Sequence, residues 1–269
     1  MNEDKLTLAH AEDRIEQCRN YDMLTHTSFL DARQQSLVRR AFGVRSGDVR
    51  LVYDGGYEDA DRVILAALPY YMADLYEESL SGEFGPVREL MTVIRATAPK
   101  GSHASRSGRA LSHSDYLGAL MGLGIKRTMV GDILVREDGA DIIVLAEIAD
   151  YIMQTFASAG RSHLSLERLP IEALCVPEQN TTEIRDTVAS LRLDALLAAA
   201  FRIPRGKAAD AIRQGLVFVD HLEAAKADMP VEEGAELVIR HKGKAVLTAV
   251  SGRSRKDRIN VTFLKYGNK

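Results

Sequence analysis

Residues 192–219 read RLDALLAAAFRIPRGKAADAIRQGLVFV, and they carry the clearest pattern of secondary structure in the C-terminal part of the chain. Leucines and alanines recur along one side of Leu191–Phe201, and this spacing predicts a short helix. Pro204 suits the first turn of a second helix, which ends at Gln214 because Gly215 is a natural stop. The apolar run after it predicts a strand. We therefore expect two consecutive helices followed by a small set of strands.

Two cations lie at the beginning of the second predicted helix. Arg205 and Lys207 fall in its first turn, where positive charge opposes the helix dipole at a cost of up to about 1 kcal/mol. A bound phosphate reverses that sign, because it accepts hydrogen bonds from free backbone N–H groups and from both side chains. Arg213 extends the same face, and Arg192 begins the preceding helix. Each cation alone is typical of a solvated surface, but the combination indicates an anion site.

More strands and more cations follow. Apolar patterning predicts strands at Leu216–Asp220, Glu236–Arg240, Ala245–Val250 and Asn260–Leu264. Between them lie a basic tip, Lys242-Gly243-Lys244, and a basic loop, Ser251–Arg258. The candidate anion-binding side chains of the segment are Arg192, Arg205, Lys207, Arg213, Lys242, Lys244, Arg253, Arg255 and Lys256.

The net charge of −3 hides an asymmetry. Residues 184–269 contain 16 Lys and Arg against 10 Asp and Glu, a balance of +6, whereas the remaining residues contain 19 against 28, a balance of −9. Basic segments attract polyanions through phosphate contacts and counterion release. A solvated surface gives the same count, so charge alone leaves both interpretations open.

Composition excludes several classes of protein. With 46% hydrophobic and 27% charged residues in a chain of 269, the protein can bury real cores and is not globally disordered. The sequence contains no run of about 18 apolar residues, so it predicts no membrane span. Met1–His10 lacks the pattern of a secretory signal. The two cysteines, Cys18 and Cys175, form no C-x-x-C pair. We expect no disulfide framework, no metal site, no cofactor, and a reducing, cytoplasmic setting.

The rest of the chain predicts an α+β protein with three domains. The expected boundaries are 1–82 for a mainly helical N-terminal region with short strands, 83–175 for an α/β middle domain, 176–183 for a linker and 184–269 for the C-terminal domain. In the N-terminal region, we predict a helix at Ala32–Phe42 with a stop at Gly43, preceded by Ser28-Phe29-Leu30-Asp31, in which Ser28 resembles an N-cap and Asp31 an acidic residue of the first turn. We also predict strands at Val49–Tyr53 and Val63–Leu68. In the middle domain, we predict strands at Val87–Ala96, Asp132–Val135, Asp141–Leu145 and Leu164–Leu169, and helices at Tyr116–Leu123 and Ile148–Ala159.

Two patterns in the middle domain have both a structural and a functional interpretation. Gly118, Gly122 and Gly124 lack the order of a phosphate-binding loop, so we interpret them as sites of close helix packing and as a helix stop. His113 with Asp115 could form a catalytic pair, but no nucleophile has a supporting pattern, and a capping or structural role is favoured.

The middle domain also has a second cationic cluster and few aromatic residues. Arg106, Arg109, Lys126 and Arg127 are either solvated or contact RNA at a second site. The predicted strands Val87–Ala96, Asp132–Val135 and Asp141–Leu145 carry no aromatic side chain, so stacking of bases on them is not expected.

The C-terminal pattern resembles a known RNA-binding domain. In order, the matching segments are residues 192–197 (RLDALL), 205–208 (RGKA), 212–219 (IRQGLVFV), 233–240 (EGAELVIR) and Gly243. This pattern is similar to the domain named after small-subunit ribosomal protein S-four, which presents two helices to structured RNA.

The resemblance implies that Arg192, Arg205 and Lys207 lie on the basic positions that face RNA. The sequence departs from the S-four pattern at Pro204, where a serine is usual, and at Asp220, where an asparagine is usual. The first change removes a capping hydroxyl, and the second adds a negative charge at a turn.

The rest of the chain resembles the YlmH-type proteins over nearly its whole length. The segments that carry the resemblance are residues 29–34 (FLDARQ), 55–60 (GGYEDA), 111–127 (LSHSDYLGALMGLGIKR), 131–135 (GDILV) and 147–152 (EIADYI). The family implies a helical N-terminal part, a ferredoxin- or RRM-like middle domain and the C-terminal RNA-binding domain.

The family also implies a function and partners. It implies a non-enzymatic factor that binds rRNA and tRNA on the large ribosomal subunit carrying a stranded peptidyl-tRNA, in ribosome-associated quality control. The family has also been linked to cell division. We expect a monomer without membrane contact and allow for a protein partner of the acidic N-terminal part.

Two other classes of function remain open from the sequence. Arg192-Leu193-Asp194 superficially matches the context of a pseudouridine synthase aspartate, although no large catalytic domain accompanies it. Asp54-Gly55-Gly56 is a weak candidate for a methyltransferase loop, and the middle domain is short for a doubly wound sheet. A protein–protein adaptor linked to cell division is the third alternative.

Overall fold

The computed structural model describes most of the chain as two compact units, Met1–Pro177 and Glu178–Lys269. The described residues are 3–58, 60–78, 85–98, 111–176, 181–253 and 257–266. Both units combine helices with antiparallel sheets, so the predicted α+β class is confirmed.

The N-terminal part of the first unit packs helices on a four-stranded sheet. In chain order its elements are α1 (Glu3–Tyr21), β1 (Thr25–His26), α2 (Ala32–Phe42), β2 (Arg45–Ser46), β3 (Val49–Asp54), β4 (Ile64–Leu68) and α3 (Tyr70–Glu78). The strand order is β1-β4-β3-β2, and all neighbouring strands are antiparallel. The two predicted strands are present, and β1 and β2 were not predicted.

Helix α2 has the predicted bounds and a different cap. The Asp31 carboxylate accepts a hydrogen bond from the Gln34 backbone N–H at 2.9 Å, and Gln34 Oε1 accepts one from the Asp31 N–H at 3.0 Å. This reciprocal pair is a capping box. The N-cap of the helix is therefore Asp31, three residues after the expected Ser28. Gly43 ends it with a φ of 64°.

The middle part of the first unit has a ferredoxin-like topology, as the family resemblance predicted. Its elements are α4 (Gly85–Arg88), β5 (Met91–Thr97), α5 (His113–Gly122), β6 (Val130–Arg136), β7 (Gly139–Leu145), α6 (Ala149–Thr155), β8 (Ser158–Ala159), β9 (Ser162–His163) and β10 (Ser165–Leu169). The main sheet has the order β10-β5-β7-β6 with antiparallel neighbours. The chain thus follows a β-α-β-β-α-β path in which α5 and α6 connect strands of one sheet.

Three local predictions in this part are wrong. The expected strand Val87–Ala96 is helical in α4 at its beginning, because an apolar run does not by itself distinguish a strand from a buried helix turn. Helix α6 ends at Thr155 and not at Ala159, which lies in β8. A Cβ at Gly118 or Gly122 would meet no atom within 4 Å, so these glycines do not serve close packing.

Two other local interpretations agree with the geometry. Gly124 follows α5 with a φ of 81°, which suits a helix stop. The Asp115 carboxylate accepts a hydrogen bond from the Ser112 backbone N–H at 2.8 Å at the beginning of α5, so it acts as a cap.

The ferredoxin-like sheet is buried on both faces. One face packs on α5 and α6. On the other face, Phe29, Ile64 and Ile171 pack against Val93 of β5 and Ile143 of β7, and all five side chains are buried. RRM-type sheets stack bases on their open face, whereas in this protein that face forms a core with the N-terminal part.

A buried carboxylate connects three strands of the same sheet. Asp141 in β7 is fully buried and accepts hydrogen bonds from Arg95 of β5 at 2.9 and 2.8 Å. Arg136 of β6 lies 3.1 Å from the same carboxylate. The two arginines satisfy a charge that burial alone would make costly.

The second unit places two helices against a six-stranded antiparallel sheet. Its elements are β11 (Thr181–Val188), α7 (Leu193–Phe201), α8 (Arg205–Arg213), β12 (Val217–Val219), β13 (Leu222–Glu223), β14 (Glu236–Ile239), β15 (Gly243–Arg253) and β16 (Ile259–Tyr266). The strand order is β11-β16-β15-β14-β12-β13. Strand β11 begins within the segment expected as a linker, and its Ile184 and Val188 join the core that Leu196 and Phe263 occupy.

No helix among the described residues is both long and apolar enough to cross a membrane.

Candidate nucleic-acid interface

Asp194 holds two of the predicted RNA-facing arginines at the junction of α7 and α8. Arg192 donates to its carboxylate from Nε at 3.3 Å and from Nη2 at 3.1 Å, and Arg205 donates from Nη2 at 3.0 Å. The Asp194 side chain is 8% exposed, whereas those of Arg192 and Arg205 are 42% and 53% exposed. The carboxylate is therefore the inner member of the cluster, and the two guanidinium groups lie at the surface.

The charge state of this cluster follows from opposing effects on Asp194. Burial would raise the pKa of its carboxyl group, but the hydrogen bonds and charges of Arg192 and Arg205 outweigh burial and lower the pKa below its ordinary value. The hydrogen bond to Asp194 raises the pKa of Arg192 in turn. At neutral pH the cluster therefore contains one negative and two positive charges.

The two helices differ in the backbone groups at their N-terminal ends. At α7, the Leu193 N–H donates to the Met229 carbonyl and the Asp194 N–H to the Ala227 carbonyl, each at 3.0 Å. Helix α8 follows Pro204 and has no side-chain cap. Because the first N–H groups of a helix have no partner within it, the N–H groups in the first turn of α8 can donate to an anion, whereas those at the beginning of α7 are engaged.

Lys207 and Gly206 leave this end of α8 open. Both are exposed, and a Cβ added at Gly206 would meet no atom within 4 Å. Pro204, which stands where the S-four pattern has a serine, supplies no capping hydroxyl that would compete with a ligand for these N–H groups. Arg205 and Lys207 thus flank an uncapped and solvent-exposed helix end.

The structure gives the other predicted cations different surroundings. Arg213 forms an ion pair with Asp210 on α8. Lys244 lies 2.7 Å from the Glu236 carboxylate, and its Nζ is 4.8 Å from the centre of the Tyr266 ring, so it stabilises the sheet.

The basic tip and the basic loop lie at opposite ends of β15. Lys242 is exposed in the turn before the strand. Arg253 forms an ion pair with Asp257 at 2.7 Å. Arg255 and Lys256 lie outside the described residues, as do Arg106 and Arg109 of the second cationic cluster.

Sequence reasoning missed the role of Asp194. The sequence places it two residues after Arg192, but its contact with Arg205 depends on how α7 and α8 pack. An acidic residue in the first turn of a helix, close to two predicted surface arginines, is the signal that could have indicated it. Asp220, which the sequence showed only as a departure from the S-four pattern, has left-handed backbone with a φ of 49°. Its carboxylate accepts a hydrogen bond from the Glu236 N–H at 2.8 Å.

Within the described part of the chain, no group of three His, Cys, Asp or Glu side chains is placed to hold a metal ion.

The second unit places two helices with surface arginines on a small antiparallel sheet. This arrangement defines the class of protein, which is a protein with a C-terminal S4 RNA-binding domain. The family model for the S4 domain matches residues 191–237. A second model, described as "Putative RNA-binding domain in YlmH", matches residues 105–173.

A curated relative establishes the family. The chain is 35% identical over 237 residues to "Ribosome-associated protein quality control protein P2" of Bacillus subtilis (strain 168). The aligned region covers 88% of this chain and 85% of the relative. The chain belongs to the YlmH family. Among solved structures, "Cell division protein ylmH from Streptococcus pneumoniae" is similar with a TM-score of 0.47 and 20% identity, over 65% of this chain and 96% of the other.

Proposed function

We propose that the protein is a non-enzymatic RNA-binding factor that acts on the large ribosomal subunit carrying a stranded peptidyl-tRNA, in ribosome-associated quality control. The single observation that carries the proposal is the pair Arg192 and Arg205, fixed by Asp194 beside the open end of α8. The name of the Bacillus subtilis relative supports the ribosomal context. In this role the partners are rRNA and tRNA, and the protein works in the cytoplasm.

The chemistry of the α7–α8 surface suits structured RNA. Guanidinium groups donate paired hydrogen bonds to phosphate oxygens, and the N–H groups of the α8 end add donors to the same anion. These contacts fix the position of an RNA backbone without reading its sequence. A ribosomal element of defined shape is recognised in this way.

The environment of Asp194 supports a binding role over catalysis. In the pseudouridine synthase alternative, this aspartate would have to face a substrate base. Its oxygens instead accept hydrogen bonds from Arg192 and Arg205, and its side chain is buried. The carboxylate therefore acts as a positioning group for the two arginines.

The glycine-rich turn supports the same conclusion. A Cβ at Gly55 would lie 2.3 Å from the Ala60 Cβ and 2.4 Å from the Arg62 carbonyl oxygen. This glycine therefore permits the chain to approach itself closely, which is a structural use of glycine rather than the cradle of a methyl-donor loop.

Ribosome co-sedimentation of the full chain tests the proposal. We expect the double variant Arg205→Ala, Lys207→Ala to lose about 1–3 kcal/mol of binding free energy to large subunits that carry peptidyl-tRNA, the scale of charge-assisted hydrogen bonds. RNA crosslinking and sequencing of the wild type should recover large-subunit rRNA together with tRNA.

Arg185→Ala is the matched control. Arg185 is 79% exposed on β11, next to the inward-facing Ile184, so its side chain points away from the core on which α7 packs. Its replacement should leave co-sedimentation unchanged. Unchanged co-sedimentation of the double variant would show that the RNA surface lies elsewhere, and a stoichiometric mass change on an RNA nucleotide incubated with the protein would contradict the non-enzymatic role.

A further inference from the structure

Two arginines lie together where the N-terminal sheet meets the ferredoxin-like sheet. Arg62, just before β4, donates from Nε to the Val130 carbonyl at 3.1 Å and from Nη2 to the Phe29 carbonyl at 3.0 Å. Arg127, just before β6, donates from Nη1 to the Val130 carbonyl and, at 3.0 Å, to the Gly131 carbonyl. The two guanidinium groups thus share one carbonyl oxygen, although they come from distant segments of the chain.

The positive charge of this pair is not neutralised by direct contact. Among the described residues, neither Arg62 nor Arg127 forms an ion pair with a carboxylate. Asp132 accepts hydrogen bonds from the Tyr57 hydroxyl and the Asp61 N–H, each at 2.7 Å, and Asp31 caps α2. These two carboxylates act on the arginines only from a distance.

The electrostatic effects on the pair agree with this geometry. The pKa of Arg62 is lowered to about 10, mainly by burial and to a smaller extent by the charge of Arg127. Burial also lowers the pKa of Arg127. Two like charges in one partly buried site favour a bound anion, because the negative charge of the anion offsets both the burial of the guanidinium groups and their mutual repulsion.

The pair retains donors that a ligand can use. Nη1 of Arg62 and Nη2 of Arg127 have no hydrogen-bond acceptor among the described residues. Both side chains are half-buried and reach solvent, and the neighbouring Lys126 is exposed. Planar guanidinium forks of this kind fit phosphate oxygens better than ammonium groups do.

We propose that Arg62 and Arg127 bind a backbone phosphate of RNA, a site that adds Arg62 of the N-terminal part to residues 105–173, which match the putative RNA-binding domain. The proposal rests on the proposed function, since the ligand is RNA of the same complex that the α7–α8 surface binds. The site exists only when the N-terminal and middle parts of the unit are packed together, because each part supplies one arginine. It also assigns a role to Arg127 of the second cationic cluster.

Hydrogen exchange of the full chain, with and without a short RNA hairpin, tests the site. We expect the hairpin to slow amide exchange over residues 125–131 as well as over α7 and α8. Arg127→Gln should abolish the protection of residues 125–131 and keep that of α7 and α8. It should also weaken hairpin binding about tenfold, the scale of one charge-assisted hydrogen bond. The slope of log affinity against log salt should fall by about 1.

Arg161→Gln is the control for charge. Arg161 is exposed in the turn between β8 and β9 of the same unit. Its replacement by Gln removes one positive charge, as Arg127→Gln does. It should leave both protections intact. Because Arg127→Gln also loses the hydrogen bonds to the Val130 and Gly131 carbonyls, the protection of each protein is measured against its own RNA-free state. The wild-type protection stands as evidence by itself if the variant is destabilised.

The outcomes separate this proposal from the proposed function. Protection by the hairpin at α7 and α8 alone would overturn the Arg62–Arg127 site and leave the proposed function standing. Equal protection of residues 125–131 by ATP at the same phosphate concentration would assign the site to free nucleotides and overturn an RNA contact. Protection of residues 125–131 by the hairpin without ribosome co-sedimentation would support the site while the proposed function fails.

Discussion

At the residue scale, one carboxylate fixes the position of two guanidinium groups at the α7–α8 junction. The dipole argument from sequence predicts that Arg205→Ala leaves folding intact or improves it slightly. The structure leads us to predict the opposite, a loss of stability, because Arg205 donates to the buried Asp194 and its removal takes away one of the two charges that stabilise the carboxylate. The helix-end penalty of a few tenths of a kcal/mol is the smaller of the two effects.

Asp194→Asn tests this interpretation through stability and its pH dependence. We expect the variant to lose about 1–3 kcal/mol of unfolding free energy near neutral pH, since charge-assisted hydrogen bonds to both arginines weaken. The folded-state pKa of Asp194 is lowered, so its contribution is present above the unfolded value of about 3.9 and is lost as the pH falls through the lower folded value.

Thermal unfolding of wild type and variant across this pH range is the measurement. The difference between the two proteins should stay constant from neutral pH to about pH 5 and shrink below about pH 4. Asp141 also has a lowered pKa, but it is present in both proteins and cancels in the difference. A difference that stays the same throughout would show that Asp194 acts by packing and not by charge.

At the scale of secondary-structure elements, the close approach of β5 and β7 depends on one glycine. A Cβ at Gly139 would lie 1.9 Å from the Ala96 carbonyl oxygen and 2.9 Å from the Ala96 carbonyl carbon. Because both atoms belong to the backbone of the paired strand, they cannot move aside without distorting the ladder.

Gly139→Ala should therefore destabilise the first unit by about 3 kcal/mol. Gly118→Ala, in α5, is the matched control, because its new methyl group would lie in open space. Alanine should stabilise that helix by about 0.5–1 kcal/mol. Urea unfolding of both variants, followed by hydrogen exchange of the β5 and β7 peptides, measures the two shifts, and equal shifts would contradict the argument.

Elements with local signals could be predicted from the sequence. The bounds of α2 could be predicted because its apolar pattern is followed directly by the glycine stop Gly43 and preceded by residues of capping type, although the cap itself is Asp31 and not Ser28. The beginning of β5 was missed because the apolar run from Val87 to Ala96 has no period that separates a helix turn from a strand. The contact of Arg205 with Asp194, and that of Arg62 with the Val130 carbonyl, depend on tertiary packing and leave no local signal.

At the scale of the whole molecule, charge is divided between two units with separate cores. The second unit, residues 178–269, contains 16 Lys and Arg against 12 Asp and Glu, a balance of +4, whereas residues 1–177 contain 19 against 26, a balance of −7. The second unit has a continuous core from Ile184 to Phe263 and is expected to fold by itself.

The isolated segment 178–269 should bind structured RNA with a strong dependence on salt. Each phosphate contact releases counterions, so log affinity should fall with log salt with a slope of about −0.7 to −0.9 per contact. Filter binding at low and moderate salt measures the slope. An affinity that barely changes with salt would show that phosphate contacts do not drive binding.

The attachment of Arg192 and Arg205 to Asp194 also has a consequence for the thermodynamics of association. A free arginine side chain carries about 2 kcal/mol of rotamer entropy, and ordering it opposes binding. Here the ordering has taken place during folding, so an arriving polyanion meets two guanidinium planes already in position. Calorimetry should accordingly find a smaller entropic penalty for the wild type than for a variant in which the arginines rotate freely.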